Sequence, residues 1–458
     1  MILTLAIIIQ LMGTRMPLYE QFFGPKDANR NIRAAYIGAI FQSIGFGMLW
    51  MNILSIFIFI LADESTALLG LVSAVAGIVS TVFLFPSGLI ADRWRRDVLV
   101  WTGSVLAIIA LAILVLSVNI GMVIIAELFI GAALGISGTA REALLADSIP
   151  SGKRSKVYAD LFFLNMVFSA VGPSLNIVLF FYLGDKWDIN ILRAVIFVSA
   201  IFIYLGSITT FFMADKNTLG KESESLAKSV VGEDKEERSA FKIPIIIVAS
   251  GLIIGFGAGM TVYFFPIFFK EEYSVGPILL NAIFLVMSLT TAFSGIAGQR
   301  LSKRLGLIET MFLLQMSAVY ALAFITQYPP LFLLIPLFII RNALMNAAGP
   351  LNRTIVMDRI AKRHRAKWNA LEQLSWGFFW NVSAAVGGWI IENYSFRVCF
   401  TITATLYMIA TLLLLVLFGR VELEGKVTTE SKPVTGEFTI PTEISPPVLV
   451  EVDSADHK

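Results

Sequence analysis

The stretch GLIADRWRRD, residues 88–97, carries five charges in ten residues between two long apolar runs. The whole chain of 458 residues is 57% hydrophobic and only 15% charged, whereas soluble domains carry about 25% charged residues. Its apolar residues form blocks of roughly 20 to 28 residues, and a bilayer core about 30 Å thick needs about 20 helical residues. We therefore interpret the chain as a polytopic membrane protein and the stretch as a loop at the membrane boundary.

The apolar blocks predict twelve transmembrane helices. Each block is continuously apolar, without the alternation of a membrane β-strand, so a strand barrel is excluded. The predicted spans are 34–61, 66–91, 97–118, 120–141, 156–183, 190–213, 242–269, 276–300, 306–327, 331–352, 366–392 and 396–419.

The loops between these spans alternate in charge. The breaks after the second, fourth, eighth and tenth spans contain DRWRRD, SGKRSK, QRLSKR and DRIAKRHRAKW, whereas the intervening breaks hold few cations. Because Lys and Arg concentrate in cytoplasmic loops, we expect both termini in the cytoplasm. We also expect the plasma membrane rather than an internal one.

The polar breaks suggest a five-part organisation. Residues 1–33 read as a cytoplasmic or interfacial segment, with a start codon placed too early as the alternative for the first twelve residues. A six-helix bundle over 34–213, a cytoplasmic linker over 214–241 and a second bundle over 242–419 follow. The tail 420–458 is rich in Pro, Thr and Glu, a composition that buries little apolar surface, and we expect it to be disordered.

Two pairs of residues recur in the two halves of the chain at almost the same spacing. Gly88 and Gly298 lie near the ends of helices 2 and 8 and are 210 residues apart, and Asp147 and Asp358 are 211 residues apart. This offset indicates duplication of a six-helix unit. Because six is even, both copies enter the membrane from the same side, which predicts a substrate site between the two halves.

The opening stretch resembles the signature loop between helices 2 and 3 of the major facilitator superfamily. Gly88, Asp92, Arg93 and Arg96 fit that pattern, while Arg95 stands where the family usually has a second glycine. The second-half copy is looser, with serine at the aspartate position. The resemblance covers roughly residues 30–420 and implies an all-α membrane protein of twelve helices in two pseudo-symmetric six-helix bundles.

The resemblance also implies a gate at the cytoplasmic end. Gly88 is expected to let helix 2 approach helix 11 closely, since small residues permit close backbone contact. Asp92 would then lie near the positive N-terminal end of helix 11. Arg93, Arg96 and Arg141 would tether this carboxylate from the other side. The alternative is a plain topogenic basic loop.

Two ionisable residues lie deep in predicted spans, where such groups are costly and are functional candidates. Glu127 is about 10 Å and Arg341 about 15 Å deep by helical rise. The resemblance implies that helices 1, 4, 7 and 10 line the central cavity, so we expect this pair to face each other there and to take part in coupling. The alternative is a structural pair within one half. The family often has arginine in helix 4, so Glu127 is a departure.

Other polar and aromatic residues are candidates for the cavity, where aromatics with amides suit a polar organic substrate such as a sugar or an amphipathic drug. The alternative for any one tryptophan is packing against lipid or a helix. The candidates are Gln42, Asn52, Asn165, Asn176, Tyr263, Asn342, Asn346, Glu372, Gln373, Trp376, Trp380 and Asn381.

The sequence gives no sign of enzymatic, ATP-driven or nucleic-acid-binding chemistry. It lacks a Walker A motif, and its basic loops lack interleaved aromatics. One cysteine, Cys399, excludes an intramolecular disulfide framework, and two histidines leave little for a metal site. We expect no cofactor and no metal.

The leading hypothesis is a monomeric secondary active transporter that moves a small organic solute by rocker-switch alternating access, with protons as the candidate coupling ion in symport or antiport. An uncoupled facilitative uniporter is the closest alternative. A non-transporting receptor or scaffold with the same fold is the alternative from another class. The expected partners are the small-molecule substrate, protons and the lipid bilayer.

Overall fold

The computed structural model describes residues 24–25, 28–220, 242–359 and 375–418. The described residues up to Phe418 belong to one compact unit. Residues 1–23, most of the linker and residues 419–458 lie outside the described residues. The predicted interfacial segment, linker and tail therefore remain expectations.

Each predicted span holds helix in its described part, which confirms the all-helical membrane fold. Eleven helical segments of the described residues are long and apolar enough to cross a membrane. The twelfth, α11, is described from Ser375 onward. The helices are α1 Arg30–Leu61, α2 Thr66–Arg93, α3 Arg96–Val115, α4 Ile120–Ala146, α5 Arg154–Leu183, α6 Ile189–Thr210, α7 in two pieces Lys242–Val262 and Phe265–Tyr273, α8 Pro277–Leu305, α9 Leu307–Ile325, α10 Leu331–Arg359, α11 Ser375–Asn393 and α12 Phe396–Leu417.

The helix limits keep the repeat seen in the sequence. α2 begins at Thr66 and α8 at Pro277, which are 211 residues apart, while α5 ends at Leu183 and α11 at Asn393, which are 210 apart. Side-chain caps set several starts: Ser65 accepts from the Leu68 amide at α2. The same architecture therefore occurs twice, as a duplicated unit requires.

The even-numbered helices α2, α4, α8 and α10 run past their predicted ends, to residues 93, 146, 305 and 359. The hydropathy pattern ends with the apolar block, but a helix need not end there. The last turn of α8, for example, carries Lys303 and Arg304, whose long stems let the charged heads reach water. We call the end of the molecule with these extensions the basic end, and the opposite end the far end.

The two halves meet chiefly along two helix pairs, α2 with α11 and α5 with α8. Small residues allow the close crossings. A Cβ atom added to Gly70 would meet the backbone of Ala384, and one added to Gly77 would meet the side chain of Asn381. These crossings bring the halves together around the cavity described below.

Candidate functional site

A cavity of about 250 Å³ lies between the two halves, bounded by α1, α2 and α4 of the first half and by α7 and α11 of the second. Its position at the interface of the repeats is where a duplicated transporter fold places its substrate site. The lining residues are Trp50, Leu54, Ser55, Ile58, Ser73, Ala76, Gly77, Ser80, Glu127, Ile130, Leu134, Tyr263, Gly377 and Asn381.

Helical periodicity explains how α2 makes room for this cavity. Ser73, Ala76, Gly77 and Ser80 are spaced i, i+3, i+4 and i+7, so they share one face of the helix. All four are small, which leaves open volume where larger side chains would fill it. The two serines also put hydroxyl groups into the wall.

Two helices at the cavity, α1 and α11, each contain a π-helical turn. In α1 this turn is Leu49–Ile53, which includes Trp50, and in α11 it is Ser375–Phe379, which includes Gly377. Such π-turns are rare and occur frequently at functional sites. Their coincidence on opposite walls of one cavity supports its assignment as the functional site.

Glu127 is the charged residue of the described cavity wall. It lies on α4 and is 3% exposed, and its Oε1 atom has no hydrogen-bond partner in the described structure. A buried carboxyl group without a donor is costly when ionised. It therefore needs a proton, water or a cationic ligand in the cavity.

Tyr263 and Asn381 form the polar part of the second-half wall. Tyr263 lies in the break between the two pieces of α7, and its hydroxyl donates to Asn381 Oδ1 at 3.3 Å. Asn381 Nδ2 in turn donates to the Gly377 carbonyl at 2.5 Å. Trp380 packs edge-on against the Tyr263 ring at 6.3 Å between centroids. These contacts fix the phenol at the cavity wall.

The structure does not pair Arg341 with Glu127, which corrects the expectation that the two face each other. Arg341 is 3% exposed and donates to the Tyr407 hydroxyl at 3.1 Å. Its guanidinium also lies 5.2 Å from the centroid of the Phe265 ring. α10 thus directs this side chain towards α7 and α12 within the second half. Phe338, the repeat equivalent of Glu127, likewise packs on Phe265.

The remaining second-half amides of α10 also contribute to packing within their half. Asn342 donates to Thr291 at 2.9 Å on α8, and Asn346 donates to the Asn342 carbonyl at 2.8 Å. Neither residue is part of the described cavity wall. Their positions along α10 could be read from the sequence, whereas the direction of their side chains follows from how α10 packs on α8.

Three buried asparagines join the halves beyond the cavity. Asn52 on α1 and Asn176 on α5 both donate to Asn281 Oδ1 on α8, at 3.2 and 3.0 Å. All three side chains are fully buried. Asn165, by contrast, accepts from Ser43 at 2.7 Å within the first half. Asn52 and Asn176 are therefore interface contacts rather than parts of the described cavity wall.

Two acidic side chains close the far end by capping helix N-termini of the opposite half. Glu392 of α11 accepts from the Ser65 hydroxyl at 2.6 Å and from the Ala67 amide at 2.7 Å, at the start of α2. Asp185, just after α5, accepts from the Ile278 amide at 2.8 Å, at the start of α8. We call these two contacts the far-end latches. The repeat relates them, since α2 corresponds to α8 and α11 to α5.

Two further contacts join the halves at the far end. Trp187 donates to the Val275 carbonyl at 2.9 Å, and Lys270 lies 3.5 Å from Glu64. The far end therefore holds several polar contacts between the two halves.

The predicted gate at the basic end is described only in part. A Cβ atom added to Gly88 would meet no described atom within 4 Å, and the start of the predicted span 366–392, its expected partner, lies outside the described residues. The described close crossings of α2 and α11 are at Gly70 and Gly77. The side chains of Asp92, Arg93 and Trp376, and the whole of Glu372 and Gln373, lie outside the described residues.

The other predicted gate residues contact the first half itself. Arg96 forms an ion pair with Asp147, and its backbone amide donates to Asp215 at 2.7 Å. Arg141 donates to Gln42 at 3.0 Å, linking α4 to α1. Arg96 therefore ties the start of α3 to the end of α4 and the start of the linker. These contacts stabilise the base of the first half.

Sequence reasoning missed most of the first-half cavity wall. Trp50, Ser55, Ser73 and Ser80 line it, yet serine is common in membrane helices and gives little signal alone. The usable signal was the i, i+3, i+4, i+7 stripe of small residues on α2. Trp50 was obscured because the π-turn around it shifts the direction of side chains relative to a regular helix.

Comparison with known proteins agrees with this geometry. The family model described as Major Facilitator Superfamily matches residues 35–340 and 247–450. No match was found among curated protein sequences.

Solved structures share the fold at low identity. A POT family transporter in complex with 5-aminolevulinic acid aligns with a TM-score of 0.68 at 13% identity over 86% of this chain and 96% of that one. A D-xylose-proton symporter aligns with 0.66 at 13% over 84% and 96%. The nucleoside transporter NupG aligns with 0.64 at 13% over 85% and 99%. The chain is an integral multi-pass membrane protein and belongs to the major facilitator superfamily.

Proposed function

We propose that the protein is a secondary active transporter for a small organic solute, coupled to protons through Glu127. The observation that carries the proposal is a cavity between the repeated halves whose described wall holds a buried acidic residue, Glu127, with an Oε1 atom that has no hydrogen-bond partner. Ionisable groups at membrane depth are characteristic of substrate pathways and proton relays. The family supports membrane transport, and this cavity supplies a candidate site for it.

The far-end latches between the halves support an alternating-access cycle. With the basic end in the cytoplasm, as the charge of the loops indicates, the far-end latches close the extracellular side in this state. In the opposite state, a rocking movement of the halves would break the latches at Glu392 and Asp185. Gly88 would then be free to approach α11, as the family resemblance implies. We take the transporter to act as a monomer in the plasma membrane.

Protons are the proposed coupling ion because the carboxyl group of Glu127 can bind and release a proton and has no ion-pair partner among the described residues. In the low-dielectric cavity, the protonated and neutral carboxyl group is less costly than a bare carboxylate. In an uncoupled uniporter Glu127 would instead only shape or bind the substrate. The two mechanisms differ in whether a pH gradient drives accumulation.

Transport itself is tested by pooled uptake into proteoliposomes. Purified protein is reconstituted, a pH gradient of either sign is imposed, and a mixture of amines, sugars, nucleosides and carboxylates is presented. Mass spectrometry then identifies any solute that accumulates beyond its level in protein-free liposomes. We expect accumulation of at least one solute, dependent on the gradient. Accumulation of none would refute the transporter, and equilibration independent of the gradient would indicate a uniporter.

A further inference from the structure

The charge of the cavity selects among substrate classes. Glu127 is the charged group among the described lining residues, and the other polar groups there are the hydroxyls of three serines and Tyr263, the indole N–H of Trp50 and the amide of Asn381. We infer that the cavity binds a small organic cation, an amine or quaternary ammonium ion. This inference rests on the proposed transport function and specifies its substrate.

A cation solves the physical problem that Glu127 poses. An ionised carboxylate buried alone is unfavourable, whereas a carboxylate paired with a bound cation is neutral as a unit and compensates much of the desolvation cost. The Oε1 atom lacks a partner within the described structure, so it is available to a ligand. A proton can satisfy the same carboxylate, so cation and proton compete for one site.

Neither Arg341 nor Arg141 neutralises Glu127. Arg341 is engaged by Tyr407 and Phe265 within the second half. Arg141 lies on the same helix as Glu127 but fourteen residues further on, which is about 21 Å at 1.5 Å per residue. The local field of the cavity is therefore set by the carboxylate and repels anions.

The rest of the wall, which includes the indole N–H donor of Trp50, suits an alkylated cation. Trp50 and Tyr263 bring aromatic rings to the cavity, and such rings attract ammonium groups through their negative faces. Leu54, Ile58 and Leu134 supply apolar surface for alkyl groups. Sugars would need more paired donors and acceptors than this wall provides.

The volume limits the size of the ligand. Pockets for drug-sized molecules measure about 300–1,000 Å³, and this cavity measures about 250 Å³. A substrate smaller than a drug-sized molecule is therefore expected in this state. Choline and short alkylamines fall in that range.

Three molecules of nearly the same shape, one cationic, one neutral and one anionic, test the inference. Choline is the cation, 3,3-dimethylbutan-1-ol its neutral isostere and 3,3-dimethylbutanoate the anion of the same branched end. Butylamine and tetramethylammonium are added as further cations. Binding to the purified full-length protein is measured by thermal stabilisation, since a ligand that binds the folded state raises its apparent stability.

We expect at least one cation to stabilise the wild type and the anion not to. Glu127→Gln should weaken cation binding by about thirtyfold or more, as removal of one partner of a buried charge pair does. The matched control is Glu142→Gln, on the same helix but outside the described cavity wall, which should bind as the wild type does. The alcohol should bind both variants equally, showing that the cavity is intact.

The inference is overturned if no cation stabilises the wild type, if the anion or the alcohol binds as tightly as choline, or if Glu127→Gln binds cations normally. Any of these outcomes leaves the proposed transport function standing if the pooled uptake still finds a neutral or anionic solute that accumulates. Absence of all uptake would instead refute transport itself.

Discussion

Removing the far-end latches should open the extracellular side of the cavity. Glu392 accepts two hydrogen bonds at the start of α2, and Asp185 accepts one at the start of α8. Losing an acceptor at a helix N-terminus costs about 0.5–2 kcal/mol, typically about 1, and Glu392 is exposed, so we assign about 1 kcal/mol to each latch. If the two contributions add, the Glu392→Ala/Asp185→Ala variant loses about 2 kcal/mol of far-end closure. That is roughly a thirtyfold shift towards the outward-open state.

The shift is measured by labelling a cysteine placed in the cavity. Ser73→Cys lies eight residues from Ser65 along α2, about 12 Å below the far end by helical rise. The native Cys399 is replaced by alanine, and a membrane-impermeant maleimide is added outside intact cells. We expect each single latch variant to raise the labelling rate about fivefold and the double variant about thirtyfold.

Asp188→Ala is the matched control for this experiment. Asp188 is an acid three residues from Asp185 that also caps a helix, accepting from the Asn190 amide at 2.8 Å, but it caps α6 of its own half. It should leave the labelling rate unchanged. The reasoning is refuted if the double latch variant labels at the wild-type rate, or if Asp188→Ala raises labelling as much as Asp185→Ala does.

Two further substitutions test the packing of the two halves. Gly77→Ala should lower stability in detergent by about 1 kcal/mol, because the new Cβ meets the Asn381 side chain and overpacking destabilises the fold. The control Gly138→Ala meets no described atom within 4 Å and should be neutral or stabilising. Equal effects of the two substitutions would rule out the close crossing of α2 and α11. Tyr407→Phe should cost about 1.5–3 kcal/mol, since it leaves the buried Arg341 without its hydrogen-bond partner, while Arg341→Met should cost less because an apolar residue of similar size often replaces a buried charge well. Thermal unfolding compares the two, and a larger cost for Arg341→Met would assign the arginine a stabilising partner other than Tyr407.

The helices and their order could be predicted because they depend on one-dimensional properties. Length and continuous apolarity determine a membrane span, and the alternating loop charges follow the alternating ends. The repeat offset between Gly88 and Gly298 also survives in the helix limits. Glu127 and Tyr263 are candidates on the basis of their depth along predicted spans, and both line the cavity.

The direction of a side chain around its helix could not be predicted in the same way. Arg341 is three residues from Phe338, the repeat equivalent of Glu127, and a helix turns about 100° per residue. A shift of three residues therefore rotates the side chain about 60° from the equivalent position. The second half also packs differently, since Phe338 itself contacts Phe265 and Phe284. The position of Arg341 along α10 therefore does not bring its side chain into the described cavity wall.

The conformational state of the molecule also could not be predicted from the sequence. Gly88 fits the family motif in either state, but whether it touches α11 depends on which end is closed. The contacts of α2 with α11 at Gly70 and Gly77 are described, whereas the start of the predicted span 366–392, the expected partner of Gly88, lies outside the described residues. Helix pairs that separate at one end and meet at the other have the same sequence in both arrangements.

Proton movement coupled to solute flux tests the central claim about Glu127 most directly. Proteoliposomes that contain a pH-sensitive dye are given a gradient of the solute that the wild type accumulates, with no initial pH difference. Wild type and Glu142→Gln should both shift the internal pH as the solute moves, whereas Glu127→Gln should produce no shift at any solute concentration. A pH change of wild-type rate and extent with Glu127→Gln would contradict the assignment of this carboxyl group as the coupling site.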